Sequence, residues 1–167
     1  MAPTGKTVAI ASVVVVALLV AYTLYESAGQ SGPVTNPVPT KFTVNGKTYA
    51  FTYVATTDQE RRVGLMGKAV NSTTTMLFAF PSAGEWRFWM YNTTTSLDMI
   101  WVNSQGDTGR VVYLVSSVPP CFDISKCVVY TPTASANYVI EAKSGFASSN
   151  GIDVGTTFVF SGFRAST

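Results

Sequence analysis

Residues 85–102, EWRFWMYNTTTSLDMIWV, crowd large aromatic side chains together and set one carboxylate, Asp98, among apolar neighbours. With the two-residue period of a strand, Trp86, Phe88 and Met90 fall on one face and Trp89 and Tyr91 on the other. Both faces are then apolar, as in a strand covered on both sides inside a barrel or between layers. Residues 97–102 read as a further strand, 104–109 as its turn and 110–116 as the return strand.

Upstream, residues 75–80 form a buried strand that Pro81 should end. Thr57 and Glu60 have the spacing of a capping box, predicting a helix through Met66 that Gly67 closes. Asn45-Gly46 between residues 42–44 and 47–55 is a hairpin signal, with Tyr49, Phe51 and Tyr53 sharing one core face. Downstream, residues 137–142 and 156–163 read as strands, and 146–149 as one helical turn. Strands this short and this closely spaced predict a small barrel-like β domain, mainly β or α+β, with one or two short helices.

Of the 167 residues only 12% are charged; the net charge is +2 and the 11 Lys and Arg residues do not cluster beyond Arg61 and Arg62. A nucleic-acid footprint is absent. The chain has no histidine, which removes the commonest general base and metal ligand. Cys121 and Cys127 are too few for a structural zinc site, so no metal or cofactor is expected; a disulfide is the simpler reading, provided the compartment is oxidising.

Residues 8–25, VAIASVVVVALLVAYTLY, carry no charge and have about the minimum length of a membrane-crossing helix. Lys6 before the segment and Glu26 after it favour residues 1–7 inside and the domain outside. The competing reading is a cleaved signal peptide, but its small-residue site at 26–28 puts a glutamate where a small side chain is wanted. Residues 26–40, rich in Gly, Ser and Pro, read as a spacer, leaving 41–167 as the extracytoplasmic domain.

ERRVGLMGK at 60–68, MLFAFP at 76–81, RFWMYNTTTSLDMIWV at 87–102, the PPC with its second cysteine, YVIEAKSG at 138–145 and GIDVGTTFVF at 151–160 together resemble the family known as domain of unknown function 192. The resemblance implies a compact β-rich barrel-like domain, frequently exported or membrane-anchored, with no established activity. Tyr91 stands where that family more often has lysine, and residues 94–96 are more polar than usual, so a contact made by that lysine does not carry over.

Asp98 in its apolar setting must be ion-paired, hydrogen-bonded or shifted in pKa. Arg62 and Arg87 are available partners, and a backbone clamp that fixes strand register is the alternative. Trp86, Trp89, Tyr91 and Trp101 could stack on sugars or peptides, although strand alternation separates Trp89 and Tyr91 from Trp86, and core packing is the plainer reading. Glu85 or Glu141 could complete a carboxylate pair with Asp98, as glycoside hydrolysis requires. Asn71 and Asn92 head glycosylation sequons; for Asn92 the expectation is a side-chain amide that ties down a turn.

Three functions follow. The first is a membrane-tethered binding or interaction module that meets a surface glycan, a peptide or an envelope protein, with Arg62, Arg87, Trp89, Asn92 and Asp98 as candidate ligand contacts. The second is a hydrolase using Asp98 with an arginine, and the third a structural envelope component. The missing catalytic vocabulary favours the first over an enzyme.

Overall fold

The computed structural model describes Val34 and residues 36–165. The expected membrane segment 8–25 and most of the spacer lie outside these residues. Among the described residues no helix is long and apolar enough to cross a membrane.

Among the described residues ten strands and two short helices follow one another: β1 (Lys41–Val44), β2 (Lys47–Ala50), β3 (Tyr53–Ala55), α1 (Asp58–Val63), β4 (Thr75–Gly84), β5 (Phe88–Trp89), β6 (Leu97–Gln105), β7 (Thr108–Val118), β8 (Val129–Tyr130), β9 (Ala136–Lys143), α2 (Phe146–Ser149) and β10 (Thr157–Ser161). Eight strands make one mixed sheet in the order β2-β1-β10-β7-β6-β9-β4-β3, curled into a half-barrel, while β5 and β8 form a separate two-stranded ribbon. Only β3 and β4 run parallel; the other pairs in the sheet are antiparallel.

The central strand β6 is buried along residues 97–102, and its alternation feeds two cores. Ile100 and Val102 join Phe42, Leu77, Ile140 and Phe158 in one; Leu97, Met99 and Trp101 join Phe78 and Val139 in the other. Fully burying one such side chain is worth about 1.5–3 kcal/mol, so this strand alone anchors both layers. Strand β7 can lie close against it because residue 109 has no side chain. A Cβ on Gly109 would sit 2.6 Å from Val102 Cγ1 and 2.8 Å from Phe160 Cε2.

The hairpin forms as expected, with Asn45 at φ 47° and Gly46 at φ 77° supplying the two left-handed positions of the turn. The shared face of Tyr49, Phe51 and Tyr53 does not survive. After β2 the chain turns from one edge of the sheet to the other: the Phe51 N–H donates to Thr40 O at 2.9 Å and the Thr52 N–H to Thr75 O at 2.8 Å. Tyr49 and Phe51 therefore pack on the first core, and Tyr53 on the second.

The capping box is present, with the Glu60 N–H donating to Thr57 Oγ1 and the Thr57 N–H to Glu60 Oε2. Burial pushes the Glu60 carboxyl up, but hydrogen bonds from Thr56 and Thr57 outweigh it and hold the group below its ordinary range. The helix stops at Val63, one turn earlier than expected, because Gly64 takes φ 49° as its cap. Pro81 does not end β4. The strand continues to Gly84 through a register shift after Ala79, and exposed Pro81 lies in that irregular stretch, where a missing N–H is tolerated.

The largest departure concerns residues 85–91, which are not a strand of the main sheet. Within it Phe88 and Trp89 form a strand paired with Tyr130 and Val129 of β8, and Tyr91 makes an isolated bridge with Cys121. Freed from the period of the sheet, this segment folds over the second core.

Candidate ligand-binding cavity

Asp98 is 1% exposed and forms no ion pair with an arginine among the described residues. Its Oδ1 accepts the Ser117 N–H at 2.9 Å and its Oδ2 the Ala147 N–H at 2.9 Å. The carboxylate thus ties the end of β7 and the start of α2 to β6, the backbone-clamp alternative. Neither Arg62 nor Arg87 forms an ion pair with a described residue.

Cross-strand register places Asp98 opposite Ala142 and Met99 opposite Glu141. Directly opposed side chains share a face and successive ones alternate, so Glu141 projects with Met99 into the second core and Asp98 to the other side. The two acids cannot form a catalytic pair. Glu85 is exposed at the surface.

On the Glu141 side lies a cavity of about 270 Å³ between α1, the segment 86–91 and β9. Trp86, Phe88, Trp89 and Tyr91 all line it. The strand-alternation expectation that separated them fails because the segment is irregular. Trp86 stacks on Phe80 with centroids 4.2 Å apart and planes at 7°, and Phe88 meets Phe78 edge-on at 4.8 Å. Trp89 and Tyr91 form a tilted pair at 5.6 Å. Trp101 is wholly buried below and fixes the segment by donating its Nε1–H to Trp86 O at 2.8 Å.

Two buried polar groups face this space. Glu141 and Thr93 are each 4% exposed, and neither side chain has a hydrogen-bond partner among the described residues. Among the described residues no polar side-chain atom is sealed away without a partner, so their oxygens open onto the cavity. Burial pushes the Glu141 carboxyl up to about 8, which keeps it neutral at pH 7, both donor and acceptor. A single glutamate inside the apolar run of 138–142 was the sequence signal for it; nothing in the sequence marked Thr93.

Arg61 is used structurally. Its Nη1–H donors reach Thr56 O at 2.8 Å and Ala79 O at 2.7 Å, its Nη2 meets Asp58 at 2.7 Å, and its guanidinium lies 5.1 Å from the Phe80 centroid. These contacts lock α1 onto β4. Arg62 and Arg87 are exposed and line the same cavity.

Asn92 lies beyond this lining. Its backbone at φ 54° makes the turn, with its N–H donating to Cys121 O at 2.7 Å and its carbonyl accepting the Gly67 N–H at 3.0 Å. Its side chain is exposed and ties down nothing. Asn71 is exposed too, its Oδ1 accepting the N–H and hydroxyl of Thr73 at 2.9 and 2.8 Å. Cys121 and Cys127 are joined in a disulfide. The loop it closes carries exposed Phe122 and Ile124 and leads into β8.

A protein-family model, DUF192, described as "Uncharacterized ACR", matches residues 40–160. A crystal structure of a protein of unknown function from Novosphingobium aromaticivorans is 26% identical, with 73% of this chain and 84% of that chain covered and a TM-score of 0.60. A "putative transcription regulator" from Sinorhizobium meliloti is 23% identical, with 78% and 96% covered and a TM-score of 0.60; this second likeness shows the fold alone. No curated protein matches.

Proposed function

The chain belongs to the DUF192 family, and from that premise we propose that residues 41–167 are a binding module that takes a ligand into the Glu141 cavity. The observation that carries this reading is the pair of buried, unpartnered side chains, Glu141 and Thr93, opening onto an aromatic-walled space. Their oxygens are open to water in the cavity, and a ligand whose polar groups bond them keeps those hydrogen bonds while burying its own apolar surface against the aromatic walls. Asp98 lends no support to a hydrolase, since both its oxygens are taken by backbone N–H groups.

The location belongs to the same proposal. The uncharged segment 8–25 is the anchor, 26–40 the spacer, and the module works outside the membrane on a surface glycan, peptide or envelope protein. The disulfide in an exposed loop supports an oxidising compartment.

The test is a thermal-shift screen of the full chain in detergent against small organic ligands. Compounds that raise the melting temperature of the parent should lose that effect in Glu141→Leu and in Trp89→Ala. If the shift persists in both variants, the cavity is not the binding site and the reading fails. Protease added outside intact cells should digest the domain; complete protection would remove the proposed orientation.

A further inference from the structure

Cavity size, charge and wall chemistry together narrow the ligand. At about 270 Å³ the space falls just below the range of roughly 300–1,000 Å³ usual for drug-sized molecules. One ring with its substituents fills it.

Charge comes next. Glu141 is the one acid among the described lining residues, and its burial keeps it neutral at pH 7. Arg61 is held by Asp58, Thr56 and Ala79, whereas Arg62 and Arg87 have no ion-pair partner among the described residues. Two free guanidiniums with no opposing charge select an anion, and their planar forks match a carboxylate. A phosphate is favoured less, because α1 lines the cavity only with its C-terminal half, from Arg61 on, and brings no helix N-terminus to cradle one.

The walls and the floor ask for different things of the same ring. Trp89, 36% exposed, and half-buried Tyr91 add accessible aromatic surface to the lining, on which a ring bearing axial C–H bonds can pack. Glu141 and Thr93 each donate and accept, the pattern that hydroxyl groups satisfy. A flat aromatic acid would cover the walls but leave both polar groups unbonded, and such sites discriminate strongly against ligands lacking the matching group.

We infer that the cavity takes a carboxylate-bearing pyranose, a hexuronate, with its carboxylate at Arg62 and Arg87, its ring on Trp89 and Tyr91, and its hydroxyls at Glu141 and Thr93. This rests on the binding-module reading. The sugar is either free or the terminal unit of a polymer.

The experiment is tryptophan-fluorescence titration of the full chain in detergent with glucuronate, galacturonate, glucose, galactose, benzoate, glucose 6-phosphate and a uronate-terminated disaccharide. Saturable binding of at least one hexuronate, ten-fold or more tighter than the matching neutral hexose, is expected. The double variant Arg62→Gln/Arg87→Gln should bring that ratio near one, and Glu141→Leu should weaken uronate and neutral sugar alike. A disaccharide that binds tighter than the monosaccharide identifies a polymer end; equal affinity identifies the free sugar.

Benzoate or glucose 6-phosphate binding more tightly than either hexuronate, or a neutral hexose binding equally well, overturns the ligand class while leaving the module standing. Absence of a response to every compound overturns the hexuronate assignment, and the thermal-shift screen then decides separately whether the cavity binds anything.

Discussion

Asp98 and Glu141 lie on neighbouring strands one register step apart, yet they point to opposite faces of the sheet. Asp98 stands across from Ala142 and Glu141 across from Met99. One acid has both oxygens bonded to backbone N–H groups, and the other has no hydrogen-bond partner among the described residues and opens onto a cavity. Their separation divides the chemistry of the domain into a structural face and a candidate binding face.

Asp98→Asn should destabilise the chain by about 2–4 kcal/mol, because an amide accepts with its oxygen alone and turns its NH₂ toward one of the two N–H donors. Urea unfolding gives the loss, and ligand titration should show the cavity unaffected. An unchanged midpoint would mean that the clamp contributes nothing to holding α2.

Glu141 should make stability fall as pH rises. The unfolded carboxyl ionises near its ordinary 4.5, while the folded one keeps its proton up to about 8. The contribution is therefore full below pH 4.5 and is lost progressively up to about 8, at a limit of about 1.4 kcal/mol per pH unit. Glu60, held low by its hydrogen bonds, acts oppositely on the acid side, its stabilisation being lost as pH falls through its folded value. Urea midpoints of the parent should decline from pH 5 to 8, and Glu141→Gln should flatten the decline. A parent curve already flat across that range would remove the argument that this carboxyl is buried and neutral.

Breaking the disulfide with Cys121→Ser/Cys127→Ser should cost about 2 kcal/mol, the chain-entropy value for so short a loop. The effect should reach the cavity, since Cys121 accepts from the Asn92 N–H and the loop leads to Val129, the partner of Trp89. Hydrogen exchange should quicken at Trp89 and Asn92; exchange confined to residues 121–127 would show that the loop does not support the aromatic wall.

Features set by neighbours in sequence were legible without a structure. The Asn45-Gly46 turn, the Thr57–Glu60 box, the helical turn at 146–149 and the half-barrel's short strands each follow from local backbone preference or period. The extents of β4 and α1 were not, since the bulge at Pro81 and the early stop at Gly64 depend on what packs around them. Arg62, Arg87 and Trp89 were named as ligand contacts and line one cavity, while Asn92 and Asp98, named with them, lie elsewhere.

The sequence by itself determined the family, the β-rich class, the caps and turns, and that Asp98 needed bonded partners. Tertiary structure decided which partners those were, which face each acid takes, and that Trp86, Phe88, Trp89 and Tyr91 converge. The reason is geometric: alternation fixes the relative direction of side chains within one strand, whereas the register between strands, and whether a segment joins the sheet at all, are set by pairings across dozens of residues.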